Sequence, residues 1–151
     1  MDQTKFKKFL TLARKAIEYE EVREKEGNVL LSRKGNFTQG CLSYSDSSKG
    51  EDVFFGKEAI MHKGKVVWRR FYKGRITDNF LSKKEIEEVF SFLNEALSHF
   101  PDSHPQQRGP EVYEKENLEY TNICLGNFEK FNGTEKITKK GKAVYELTYH
   151  N

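Results

Sequence analysis

A chain of 151 residues, 36% hydrophobic and 32% charged, is the size of one domain and can build a core without disulfide staples. Its net charge of +3 is small, and its Lys and Glu are interleaved, so composition gives little support to a nucleic-acid binder. No stretch is long and apolar enough to be read as a membrane span. Aromatic residues reach 13%, with 12 Phe and 7 Tyr, so the core and any pocket are expected to be built largely from rings. The opening DQTKFKKF has no apolar leader core, and Cys41 and Cys124 stand outside any CxxC. Both are read as reduced, half-buried thiols, and the expected location is cytoplasmic.

The first helix is expected over about residues 5–20. Phe6, Phe9, Leu10, Ala13 and Ile17 recur at helical spacing, with Lys7, Lys8, Arg14 and Lys15 opposite, and the charged run EEVREKEG closes the element. Four strand-like segments follow: NVLL, FTQGCLSYS, DVFFGKEAIMH and KVVWRRFY. The second helix is the best marked. Ser82 and Glu85 form a capping box, Leu81 and Ile86 a hydrophobic staple. Ile86, Val89, Phe90, Leu93, Leu97 and Phe100 make its apolar stripe, and Pro101 stops it. After the loop PDSHPQQRGP come VYEKENLEYTNI, NFEKFNGTEKIT and KAVYELTY. Lys63-Gly64 and Lys140-Gly141 read as hairpin turns that use Gly for positive φ.

The segments from Phe54 and from Phe131 align without a gap at a constant offset of 77 residues. Phe54/Phe131, Gly56/Gly133, Glu58/Glu135, Ile60/Ile137, Lys63/Lys140, Gly64/Gly141, Lys65/Lys142, Val67/Val144 and Tyr72/Tyr149 match, and Trp68 faces Tyr145. Gly50 and Gly126 match with a slip of one residue. The expectation is one α+β domain over residues 1–151, made of two αβββ repeats at about 5–75 and about 82–150. They would form a mainly antiparallel sheet of about six strands, with the helices packed on one face.

Strand parity puts Glu58 beside Phe54, Gly56 and Ile60, and Glu135 beside Phe131, Gly133 and Ile137. A buried carboxylate needs a partner or a proton. Two readings follow. One is that each Gly marks a bulge that turns its Glu outward, or that each Glu simply caps a turn; the other is that the glutamates line a polar spot in a concave sheet. In the last strand of each unit, Val66, Trp68, Arg70 and Tyr72 share one face, and so do Ala143, Tyr145, Leu147 and Tyr149. Such an aromatic face suits a small-molecule site as well as a core.

Three segments, GKEAIMHKGKVVWRRFYKG, the RGP at Arg108 to Pro110, and FNGTEKITKKGKAVYELTYHN, carry a resemblance. Together they resemble the bacterial family catalogued as domain of unknown function 5680, from about Tyr44 to the end and more weakly over the first helix. The family pattern resembles F-x-G-x-E, then G-x-x-V-W-x-x-x-Y-x-G, a helix, R-G-P, and a second F-x-G-x-E closing on Y-x-x-x-Y-H-G-G. Phe54, Gly56, Glu58, Val67, Trp68, Tyr72, Gly74, Arg108, Gly109, Pro110, Phe131, Gly133, Glu135, Tyr145, Tyr149 and His150 match it. The chain ends at Asn151 where the family tends toward Gly-Gly, and carries Arg-Phe before Tyr72 where Met-Asn is commoner. The resemblance implies a fold and no reaction. Similar domains occur behind Cro/repressor-type helix-turn-helix modules, which implies effector sensing. Here the first helix is expected to lead straight into strands, so no such module is expected.

Arg108 sits in a Pro-bounded loop, where it either clamps a ligand carboxylate or phosphate or pins Glu58 or Glu135. His62, His99, His104 and His150 have no second His or Cys at ligand spacing, so no metal and no cofactor is expected. The favoured reading is a non-catalytic small-molecule-binding or sensor-type domain using Glu58, Trp68, Tyr72, Arg108, Glu135, Tyr145 and Tyr149. The alternatives are a small acid–base enzyme using a repeat glutamate, and a module that homodimerises through the uncovered sheet face. A small-molecule ligand is the expected partner, with no membrane and no nucleic acid.

Overall fold

The computed structural model describes residues 3–25 and 29–151. Helix α1 (Gln3–Ala16) leads into strands β1 (Glu18–Lys25), β2 (Val29–Gln39), β3 (Leu42–Gly50), β4 (Val53–His62) and β5 (Lys65–Ile76). Helix α2 (Lys83–Leu97) is followed by β6 (Val112–Lys115), β7 (Leu118–Gly126), β8 (Phe131–Lys139) and β9 (Lys142–His150). The nine strands among the described residues form one antiparallel sheet in the order β1-β2-β3-β4-β5-β9-β8-β7-β6. The α+β, mainly antiparallel expectation therefore holds, while the strand count does not. No helix among the described residues is long and apolar enough to cross a membrane.

The extra strands come from segments the sequence reads differently. Helix α1 stops at Ala16, and residues 18–25 pair with β2 instead of continuing as helix. The ring of Tyr19 lies against Gly35 and under the Arg33 guanidinium, so tertiary contacts override a weak local preference. FTQGCLSYS and VYEKENLEYTNI are each a hairpin, turning at Gly40 and at Glu116, which both take positive φ. Helix α2 forms with its capping box intact and ends at Leu97 with Ser98 as cap, leaving Phe100 buried beyond it. Cys41 is exposed rather than half-buried, and Cys124 is half-buried.

Both helices cover one face. Phe6, Phe9, Leu10 and Ala13 of α1 and Val89, Phe92, Leu93 and Ala96 of α2 pack on Tyr44, Ile60, Trp68, Tyr120, Ile137 and Tyr145. Phe9 meets Phe37, and Phe90 meets Phe54 edge-on. On the opposite face Phe55, Lys57, Phe71, Lys73, Ile123 and Leu125 are exposed.

Hairpins β4–β5 and β8–β9 share a register. Gly56 pairs with Tyr72 and Gly133 with Tyr149, and each hairpin slips at the same place, after Ile60 and after Ile137. Both close on a Lys-Gly turn with positive φ at the two central residues, the two-residue geometry that follows strand twist. At the seam, β5 pairs with β9 so that Tyr72 faces Tyr149.

Candidate functional site

The glycine of each F-x-G-x-E segment makes no bulge: pairing runs unbroken through Gly56 and through Gly133. Each glycine instead gives room for a ring. A Cβ at Gly56 would overlap the Tyr72 ring, and one at Gly133 the Tyr149 ring. Alternation therefore continues, and both glutamates point into the helix-covered face, with 2% and 0% exposure for Glu58 and Glu135. The outward-turned reading is wrong, because the departures from register fall beyond the glutamates.

Each glutamate has its own partners. Glu58 takes a two-pronged ion pair from Arg70, Nε to Oε2 at 2.5 Å and Nη2 to Oε1 at 2.6 Å, and accepts the Tyr44 hydroxyl. Arg70 Nη1 also donates to the carbonyls of Pro105 and Gln106. Burial alone would raise the Glu58 pKa, but the charge and hydrogen bonds of Arg70 outweigh it and bring it down to about 2. Glu135 accepts Arg108 Nε at 2.7 Å and the hydroxyls of Tyr120 and Tyr145. Arg108 thus pins a repeat glutamate, and its guanidinium also lies 4.3 Å from the centre of the Tyr72 ring.

A third acid completes the cluster. Asp46, opposite Glu58 in β3, is buried and accepts Tyr72 Oη at 2.7 Å and Tyr19 Oη at 2.8 Å. Burial raises its pKa, and the nearby Glu58 charge raises it further, against the tyrosine hydrogen bonds. Arg14 donates to the carbonyls of Pro105, Gln107 and Arg108 and covers the Phe100 ring. Burial and the Arg70 charge lower its pKa to about 10.

These groups floor a cavity of about 540 Å³ between the helices and the β2–β5 side of the sheet. Asp46, Glu58, Arg70, Tyr72 and Arg108 lie at its buried end, and Phe54, Phe90, Leu93, Leu97 and Phe100 form an apolar wall. Lys15, Glu21, Glu87, Ser91, Asn94 and Ser98 sit at the exposed rim. Of the residues expected to form a site, Glu58, Tyr72 and Arg108 meet here. Trp68, Glu135, Tyr145 and Tyr149 do not line the cavity. Trp68 stacks on Phe128 and Phe131 and donates its indole N–H to the Phe128 carbonyl, and the others belong to the buried network around Glu135.

The sequence reading missed Asp46, Arg14, Tyr19 and Tyr44 as site residues, and passed over Arg70. Asp46 was findable, since Leu42, Tyr44 and Asp46 alternate along one strand. No group of three or more His, Cys, Asp or Glu among the described residues is placed to hold a metal.

The family described as a domain of unknown function (DUF5680) matches residues 46–151, well over half of the chain. The chain belongs to this family. The DUF5680 match begins at Asp46 and takes in Glu58, Arg70, Tyr72, Arg108 and Glu135, whereas Arg14, Tyr19, Arg33 and Tyr44 lie before it. No curated protein and no solved structure matches the chain.

Proposed function

We propose that this chain is a non-catalytic small-molecule-binding domain of the sensor type, with its ligand in the cavity above Asp46, Arg70 and Arg108. The observation that carries the reading is the cavity itself. Its volume of about 540 Å³ suits a metabolite-sized ligand, and it joins an apolar wall to a few convergent polar groups. A ligand that binds only the folded chain must raise its melting temperature. Thermal-shift screening of metabolites is expected to find such a rise. If saturating metabolites leave the melting temperature unmoved, the reading fails.

The chain also reads as an internal duplication, two helix-plus-meander units related by a two-fold axis at the Tyr72–Tyr149 pair. Support comes from the shared register and slip of the two hairpins, and from the equivalence of Tyr44 with Tyr120 and Asp46 with Asn122 one residue out of step. β1 has no counterpart in the second unit. An experimental structure in which β4–β5 and β8–β9 do not superpose would end this reading.

A second reading, an acid–base enzyme, gains support at Asp46 rather than at the glutamates. Arg70 holds Glu58 ionised, whereas Asp46 is the carboxyl whose proton is retained at higher pH. Turnover of a cavity ligand that Asp46→Asn abolishes, while binding persists, would favour it over the sensor.

A further inference from the structure

Four arginines line the cavity, and their N–H donors are unequally provided with acceptors. Arg70 is spent on Glu58, and Arg108 reaches Glu135 through Nε. Among the described residues Arg14 has carbonyl oxygens and a ring as hydrogen-bond and stacking partners. Arg33 has the Asn94 amide oxygen at 3.3 Å and the Tyr19 ring, and its Nε is buried without a hydrogen bond. Against these two, the buried acid left over is Asp46, whose oxygens are both occupied by tyrosine hydroxyls. The exposed rim adds Lys15, already bridged to Asp102, and the acids Glu21 and Glu87. With the rim acids counted the lining holds no excess of cations, and what distinguishes the cavity is guanidinium N–H donors that have no acceptor among the described residues.

Arg108 gives those donors a direction. Its side chain is 7% exposed, and its one hydrogen bond among the described residues is the Nε contact to Glu135. Arg108 lines the cavity, its guanidinium sits over the Tyr72 ring, and its Nη atoms have no hydrogen bond among the described residues. A planar fork with free donors matches a carboxylate or another oxyanion in two-pronged geometry. The same cavity is lined by Phe54, Phe90, Leu93 and Leu97.

We infer that the ligand is a small amphipathic organic anion, its oxyanion head on Arg108 and Arg33 and its apolar body against the α2 wall. This rests on the cavity reading above and adds the chemical class. Arg108 pre-pays the cost of burial through Glu135, so the ligand meets an ordered cation rather than a mobile one.

Isothermal calorimetry on the full chain tests it, with phenylacetate, indole-3-acetate and decanoate as probes and their uncharged amides as controls. At least one acid is expected to bind one-to-one and at least about tenfold tighter than its amide, the worth of one charge-assisted hydrogen bond. Arg108→Lys keeps a cation beside Glu135 but removes the fork, and Arg33→Gln touches neither buried ion pair. Each is expected to weaken the acid about tenfold and leave the amide unchanged. Equal binding of acid and amide overturns the anion inference and leaves the cavity reading standing. Acid binding that neither variant weakens places the anion elsewhere and also overturns it. If neither acids nor amides bind, both fall.

Discussion

The surroundings of Glu58 and of Glu135 are built on matching hairpins and reach opposite ends. Around Glu135 the hydroxyls of Tyr120, Tyr145 and Tyr149 and the amide of Asn122 find partners inside the protein. Asn122 donates to Tyr120 Oη at 2.9 Å and accepts Tyr149 Oη at 2.8 Å, so an amide that both gives and takes closes the network. Around Glu58 the facing position is Asp46, which as a carboxylate only accepts and draws its donors from Tyr19 and Tyr72. The strand position opposite each glutamate is Arg70 in one half and Leu147 in the other. Two changes, amide to acid and leucine to arginine, accompany the difference between a sealed core and a polar cavity. The lesson is that strand geometry sets where a side chain points, while donor and acceptor count sets whether the site needs a visitor.

The comparison is broken most severely by Glu135→Gln. It leaves the buried Arg108 without its carboxylate partner, and the expected loss is about 3–5 kcal/mol in urea unfolding. Glu58→Gln is expected to cost about 3 kcal/mol, the low end of that range, because Arg70 keeps the Pro105 and Gln106 carbonyls. That cost has a pH signature. The folded-state pKa of Glu58 lies below its ordinary value of 4.5, so its contribution is present above pH 4.5 and is lost as pH falls toward about 2. The gap between wild type and Glu58→Gln should close across that window; a constant gap would show that the ion pair is not its source.

Gly56→Ala and Gly133→Ala should each cost about 1–3 kcal/mol by overpacking against a tyrosine ring. Gly56→Ala should also weaken any cavity ligand, since Tyr72 holds Asp46, whereas Gly133→Ala should not. Equal ligand affinity in the two variants would deny that the halves differ in role. The smallest effect is expected from Asp46→Asn, which gives the first half the amide of the second. Burial raises the Asp46 pKa, so its ionised form opposes folding once pH exceeds the ordinary value of 3.8. The variant should gain on the order of 1 kcal/mol at pH 7, and nothing below about pH 3.8. Chemical denaturation at both pH values reads the difference.

Much of this was legible in the sequence. The offset between the hairpins, the parity of Glu58 and Glu135, and the capping box of α2 all rest on local periodicity, and the structure keeps them. The failures share a cause. Residues 18–25 look like a helix ending in a charged run, and become a strand only because β2 is there to pair with them. Arg14 sits on the polar side of a helical wheel, yet the loop carbonyls of Pro105, Gln107 and Arg108 draw it inward. The partner of Glu135 was named correctly as a suspect, while Glu58 found a residue on its own hairpin. Contacts of that kind depend on how a loop lies over the sheet, which no short-range pattern encodes.

The seam between β5 and β9 carries a kinetic consequence. Every other pairing among the described strands joins neighbours in sequence. Only the pairing of Tyr72 with Tyr149 spans the length of α2 and the whole second meander. Closing that loop is the largest single entropic step in assembling the sheet, and the contacts that reward it come late. The two meanders are therefore expected to gain protection first and join at the seam afterwards. In pulsed hydrogen exchange during refolding, amides of the β4–β5 and β8–β9 hairpins should be shielded before those that bridge Phe71–Ile76 to Tyr145–His150.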